Sequence, residues 1–387
     1  MNKLLASINR LPPRARRLLK RLPAADRFRR IGLATPGVAG PASGERRAVV
    51  YLPTWARWDV MRQRPQYLLE AFANAGHPVF FVDPRESSAT VRDGVTIVPD
   101  LRSVPGSGVI LYVHFAPLRV LFDHFDDPVV VYDLLDDLSI YDADEGGVPV
   151  ERRVATHHPA VVSRADLMLV SNATLFERHR AERSDLVLVE NGVDLDRFRA
   201  ERSRPEDLPT GDRPIVGYHG AIAPWLDYEL IAEVAAALAD HEFVFVGPVE
   251  DRAAGPAEAL GRLSNVHLVG ERSPDNMPAY VQAFDVSIIP FVVDGMTVGV
   301  SPLKMYESLA TGTPVVATEL PSCVAEPAVS TASDAAGFAV AIVAATESHT
   351  DPTWLAKADR SAVAADWKSR LTPVLERLER EELRTVR

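Results

Sequence analysis

The chain has 387 residues, 47% of them hydrophobic and 25% charged, with a formal net charge of −11. That length suits two cores of ordinary domain size, and the composition is that of a soluble globular protein. The negative balance argues against a nucleic-acid binder, no run of about 18 apolar residues is present to span a bilayer, and a single cysteine, Cys323, excludes an internal disulfide and a cysteine-built metal site.

Charge is placed unevenly. Residues 1–44 hold ten Lys/Arg against one acid, Asp26, with Leu and Ile interleaved and Pro12, Pro13 and Pro23 cutting the segment into short pieces. Two readings stay open: a segment lying on an anionic bilayer surface, at about 1 kcal/mol per basic residue near the membrane, or a basic tail with no specific partner. The N-terminus lacks a sustained apolar stretch, so no signal peptide is expected. The expected location is the cytoplasm, at the inner face of the membrane where the first of these two readings of residues 1–44 holds. Residues 36–44, rich in Gly, Pro and Ser, read as a linker.

Beyond the linker, short apolar runs alternate with helical patterns. Strands are expected at 48–52, 79–82, 96–98, 109–114, 129–132, 167–170 and 186–189, with helices at 66–75, 151–164 and 173–181. A polar stretch with Pro205 and Pro209 interrupts the alternation. It resumes with strands at 215–218, 243–246, 266–269, 286–289 and 314–317, and helices at 228–239, 277–283 and 301–311. Continuous Val/Ile/Leu strands between helices mark parallel sheets covered on both faces. Helices are also expected at 335–345 and 361–378, the latter kinked or broken at Pro373. The expected fold class is α/β, with two Rossmann-like doubly wound domains facing a cleft. The expected boundaries are 1–45 for tail and linker, 46–205 and 206–350 for the domains, and 351–387 for closing helices that partly cross back to the first domain.

Ligands of such sheets bind beyond the carboxyl ends of the strands, which makes strand-end residues the site candidates. In the first domain these are Trp55 and Arg64, in a loop with two Trp and three Arg; His114, able to act on a hydroxyl; and Asp133, Asp136 and Asp137, able to cap a loop, accept sugar hydroxyls or hold a divalent ion. The metal-free reading is preferred for the three acids. In the second domain, Gly220 lets a phosphate approach backbone, and Arg272 follows the 266–269 strand. Gly-x-Gly-x-x-Gly, P-loop, Gly-x-Ser-x-Gly, His-Glu-x-x-His and Cys-x-x-Cys motifs do not occur, which disfavours dinucleotide oxidoreductase, hydrolase and metalloenzyme readings.

The most informative stretch is 297–318. A Gly299/Ser301/Pro302 turn opens a helix carrying Lys304 and Glu307, Gly312 stops it, and Pro314 opens a strand. N–H groups at a helix start, with a lysine on the first turn, make an anion site. Lys304 and Glu307 share a face, which suits a phosphate beside a ribose diol. On spacing alone an exposed salt bridge between them is the plainer reading.

These residues resemble the retaining glycosyltransferases of the GT-B fold, group 1 or family-four class. The resemblance runs over about residues 48–370 and rests on Asn191-Gly192-Val193-Asp194 with Phe198, Ala165-Asp166 leading to Ser171, and Ala283-Phe284-Asp285-Val286 before Ile289-Pro290. Its most specific part is Ser301-Pro302-Leu303-Lys304-Met305-Tyr306-Glu307 with Ala310-Thr311-Gly312-Thr313-Pro314-Val315-Val316. Arg64-Pro65-Gln66 and Asp133…Asp136-Asp137-Leu138 resemble a bacterial subgroup acting in polysaccharide or cell-wall glycan assembly.

The resemblance implies transfer of a sugar from a nucleotide-diphosphate-sugar to a glycan or lipid-linked acceptor, with retention and with no cofactor or essential metal. It places Glu307 on the ribose, and Gly220, Ala221, Gly299, Val300, Ser301 and Leu303 along the diphosphate. Arg272 falls near the base, and His114 near the reacting sugar. Two departures stand out: the family usually carries Glu where Gly299 stands, and an Arg and a Lys within the segment that here reads 221–227 without either. Lys304 then becomes the phosphate cation. The competing readings are a non-catalytic binder of nucleotide-sugar or glycan, and a sugar-nucleotide epimerase.

Overall fold

The computed structural model describes residues 35–42, 45–54, 56–59, 62–135, 150–295 and 297–385. Within them the chain builds two parallel sheets. Strands β1 (Ala48–Tyr51), β2 (Val79–Val82), β3 (Thr90–Arg92), β4 (Val95–Val98), β5 (Val109–Val113), β6 (Val129–Leu134), β7 (Leu167–Val170) and β8 (Val187–Leu188) form the first. Their order is β3-β4-β2-β1-β5-β6-β7-β8, and only β3 runs antiparallel. Helices α1 (Arg64–Asn74), α2 (Val150–Arg164) and α3 (Ala173–His179) flank it, and α4 (Leu195–Arg199) follows β8.

The second sheet orders its strands β11-β10-β9-β12-β13-β14, all parallel: β9 (Ile215–His219), β10 (Glu242–Val246), β11 (Val266–Gly270), β12 (Val286–Ile289), β13 (Val315–Thr318) and β14 (Val329–Ala332). Its helices are α5 (Tyr228–Ala237), α6 (Ala254–Leu260), α7 (Met277–Gln282), α8 (Leu303–Thr311), α9 (Pro321–Val324), α10 (Ala335–Ser348) and α11 (Pro352–Ala364). The strand order reverses between β1 and β5 in one sheet and between β9 and β12 in the other. Those switch points open the crevices in which ligands of doubly wound sheets bind.

The strands are buried end to end, as their Val/Ile/Leu runs require when helices cover both faces. Helix α8 is fixed by its own sequence. Met305, Leu309 and Ala310 bury one face, Ser308 donates to Ser287 Oγ at 2.8 Å or accepts from it, and Gly312 closes the helix in the left-handed conformation at φ 76°.

A final helix, α12 (Trp367–Thr385), returns to the first sheet, where Trp367, Leu371, Val374 and Leu378 enter the core beneath α1. The break in the closing helices falls at 365–366, and α12 runs through Pro373. Of the kink or break expected at Pro373, the break lies elsewhere, for a backbone reason. Val193 donates its N–H to the Ala365 carbonyl at 2.9 Å and accepts from Trp367 N–H at 3.1 Å, so the chain is held extended there. Strands β3 and β14 and helices α4, α6 and α9 escape the periodicity reading because each is only three to seven residues long.

Candidate functional site

The strand ends of both sheets face a cleft of about 680 Å³. Its walls come from the start of α1 (Arg62, Arg64, Tyr67), Asn191 after β8, the β9 end (Tyr218 to Ala221), and the turn and first helical turns from Val300 to Glu307.

Glu307 is the residue most firmly placed. It is 7% exposed; Oε1 accepts from the Tyr67 hydroxyl of the first domain at 3.1 Å, and Oε2 lies 2.9 Å from His219 Nε2 at the end of β9. Tyr67 is held in its donor form: burial, and next the Glu307 charge, raise its pKa well above the usual tyrosine value. Trp367 stacks on the Tyr67 ring at 5.5 Å, which fixes its direction.

Lys304 does not pair with Glu307, so the simple i,i+3 salt bridge is absent. Its Nζ sits 4.9 Å from the Phe291 ring centroid and 5.2 Å from that of Tyr218, a cation–π seat, and among the described residues no carboxylate lies within ion-pair distance of it. Burial pushes its pKa down to about 8, against the pull of the Glu307 carboxylate. Gly220, at φ 121°, lies beneath this lysine; a Cβ there would approach Lys304 Cε to 3.3 Å. The sequence needs glycine at 220 for this conformation, which L side chains rarely adopt.

The turn before α8 is clamped through its carbonyl oxygens. The Gly299 oxygen accepts from Asn172 Nδ2 at 2.6 Å, the Val300 oxygen from Ser322 Oγ at 2.8 Å, and the Ser301 oxygen from Asn191 Nδ2. Asn172 and Asn191 belong to the first domain, so two amides join the domains at this turn. Pro302 is the N-cap and no side chain caps α8, so the first-turn N–H groups of Leu303 and Lys304 have neither an intrahelical nor a capping acceptor.

The predicted residues sort clearly. Arg64, Gly220, Ala221, Arg272, Val300, Ser301, Leu303, Lys304 and Glu307 line the cleft. Gly299 is buried and absent from the cleft lining, its carbonyl held by Asn172 of the first domain. Arg272 is clamped by Asp207 at 2.6 Å and by the Tyr280 hydroxyl at 3.0 Å. Trp55, Asp136 and Asp137 lie outside the described residues.

Two first-domain expectations are corrected. Asp133 is fully buried: its oxygens take a two-pronged bond from Arg64 at 2.9 Å each, and one also accepts from Tyr112. It orients Arg64 and offers no oxygen to an acceptor. His114, 5% exposed, bonds through Nδ1 to the Tyr51 hydroxyl at 2.7 Å and is not on the cleft lining. Burial lowers its pKa to about 4, so it is neutral at physiological pH.

Tyr67, His219, Asn172 and Asn191 are the site-building residues that the sequence reading left without a role. His219 and Asn191 stand at strand ends and were legible as candidates. Tyr67 lies one turn beyond Arg64 on α1, but its part comes from its contact with Glu307, 240 residues away in sequence.

Comparison with known proteins agrees with this geometry. Residues 213–348 match the family model for glycosyl transferases group 1. A Bacillus subtilis (strain 168) protein, TuaH, named as a teichuronic acid biosynthesis glycosyltransferase, is 38% identical over 108 residues, covering 28% of this chain and 27% of that relative's length. Among solved structures, sucrose-phosphate synthase from Thermosynechococcus elongatus superposes with a TM-score of 0.64 at 18% identity, over 88% of this chain and 100% of that one. HepE from Anabaena in complex with UDP gives 0.63 at 15%, over 86% and 99%. The chain therefore has the GT-B fold, and residues 213–348 within it are similar to the glycosyl transferases group 1 family.

Proposed function

We propose that the protein is a glycosyltransferase that takes a sugar from a nucleoside-diphosphate donor and passes it to a glycan or lipid-linked hydroxyl, with retention at the anomeric carbon. The observation that carries this reading is the convergence of Lys304, Glu307 and the uncapped start of α8 on one cleft wall, opposite a first-domain wall. Glu307 offers a carboxylate to the ribose diol. Lys304 and the Leu303 and Lys304 N–H groups offer positive charge where the diphosphate would lie.

In the reaction, the bond from the anomeric carbon to the β-phosphate oxygen breaks and the diphosphate leaves with the electron pair. A bond to the acceptor oxygen forms, and the acceptor proton is lost to the departing phosphate or to solvent. Charge on the leaving phosphate is what needs stabilising. A lysine and fixed N–H dipoles in a partly desolvated cleft supply that stabilisation without a metal. TuaH, by its name, and the HepE complexes with UDP and glucose support a nucleotide-sugar donor and a polysaccharide-type acceptor.

The test is a turnover assay with UDP-, GDP- and ADP-sugars and bacterial glycan or lipid acceptor extracts, read as nucleoside diphosphate release and mass gain on the acceptor. Transfer with one donor class, lost in Glu307→Ala, supports the proposal. Interconversion of the donor's sugar without any acceptor, followed by NMR, would instead mark an epimerase, and binding without turnover a non-catalytic member.

A further inference from the structure

Away from the cleft, His158 on α2, His179 at the end of α3 and Glu182 just beyond it bring one ligand atom each to within 4.8 Å of one another. The three lie against the sheet face opposite α1, and none lines the cleft. We propose that they form a binding site for a divalent transition metal, zinc by preference, that pins α2 to α3.

The geometry is that of a ligand set. Glu182 Oε2 lies 3.2 Å from His158 Nε2 and 3.1 Å from His179 Nδ1. Ligand atoms about 2.0–2.1 Å from a tetrahedral zinc are about 3.3 Å apart, so both spacings are close to polyhedron edges. The imidazoles are 5% and 7% exposed, and their ring centroids are 5.3 Å apart at 60°, so the two nitrogens converge on one carboxylate oxygen. Two imidazoles and a carboxylate leave the fourth position for water on the side where the Glu182 side chain is 45% exposed.

Two further observations separate this from an ordinary hydrogen-bonded cluster. His179 Nδ1 is buried yet has no hydrogen-bond partner: Glu182 is near enough but not aligned with it. A buried imidazole nitrogen without a partner is costly unless something else coordinates it. His158 is also oriented from behind, with the Tyr132 hydroxyl 2.9 Å from its Nδ1. A bond on the far nitrogen is the support that fixes the tautomer and the aim of a metal-bound histidine.

The site has a structural consequence. Helix α3 is seven residues long; His179 ends it, and Asn172 at its N-cap donates to the Gly299 carbonyl in the turn before α8. An ion at His179 and Glu182 would anchor the far end of the helix that holds this turn. The site is independent of the proposed transfer chemistry and stands or falls without it.

The experiment uses the untagged full-length chain, stripped with chelator and titrated with Zn²⁺ by calorimetry at neutral pH. Co²⁺ is used in parallel, with its visible absorption reporting coordination. The wild type is expected to bind one equivalent and to melt at a higher temperature with Zn²⁺ present. His179→Ala and the conservative, surface-facing Glu182→Gln are expected to lose both the equivalent and the melting shift, while His157→Ala, altered at the adjacent imidazole, keeps them. No stoichiometric binding by folded wild type overturns the site. Binding retained at the same affinity in His179→Ala and Glu182→Gln, or lost equally in His157→Ala, also overturns it and identifies an adventitious ion only.

Discussion

Tyr67 of the first domain donates its hydroxyl proton to Glu307 of the second, 240 residues away in sequence, at 3.1 Å. The contact ties the domains through the carboxylate that the proposed donor must engage. Ribose hydroxyls and Tyr67 would compete for the same Oε1 atom.

Replacing the carboxylate should therefore hurt donor binding, and replacing the phenol should not. Glu307→Ala is expected to raise the donor KM by about 10- to 100-fold for each ribose hydrogen bond lost, at 1.5–3 kcal/mol for a bond to a charged acceptor. Tyr67→Phe should leave binding intact or tighten it several-fold. Donor affinity weakened equally by both would mean that Tyr67 supports the ligand instead of competing with it.

Lys304 gives the proposed reaction a basic limb. Its ammonium is the useful form, and burial sets the free-protein pKa at about 8. The donor kcat/KM should fall as pH rises through about 8. The kcat limb should lie at higher pH, because a bound diphosphate favours the cation. Stability runs the other way: the unfolded lysine keeps its proton to about 10.5, so between about 8 and 10.5 the unfolded chain binds more protons and stability rises with pH. Lys304→Met should flatten both profiles, read from rates and from urea midpoints.

For His114 the window is acidic. Its folded pKa of about 4 lies below the ordinary 6.5. Its contribution to stability is thus whole above 6.5 and is lost as pH falls towards 4, where the unfolded chain takes the proton first. His114→Gln should remove this component from the pH dependence of urea unfolding. An unchanged acid slope in the variant would contradict the buried, neutral assignment.

Asp133→Ala tests the buried pair under the cleft. Arg64 is 3% exposed and would be left with an uncompensated charge, a loss on the order of 3–5 kcal/mol. A urea unfolding midpoint close to wild type would show that Arg64 finds another partner.

These cases also show where sequence reasoning reaches and where it stops. The Val/Ile/Leu strands and the Ser301–Val316 run made the tandem sheets and the Lys304/Glu307 wall legible, because burial on both faces and helix stop signals are local properties. Asp133 and His114 were placed at the right strand ends but assigned to the wrong surroundings. Whether a strand-end side chain meets the cleft or a buried Arg64 or Tyr51 depends on contacts 63 to 69 residues away. Tyr67 and Asn172 acquire their parts only from contacts 127 to 240 residues distant, which no spacing rule reports. Pro373 misled because the break at 365–366 is imposed by backbone bonds to Val193, far away in sequence.

The most direct measurement of the central claim is calorimetric titration of UDP, GDP and ADP into wild-type protein and Glu307→Ala. The account predicts that one nucleotide binds wild type with a single-site isotherm and that Glu307→Ala loses most of that affinity. Failure of all three nucleotides to bind folded wild type, or equal affinity in the variant, would contradict it.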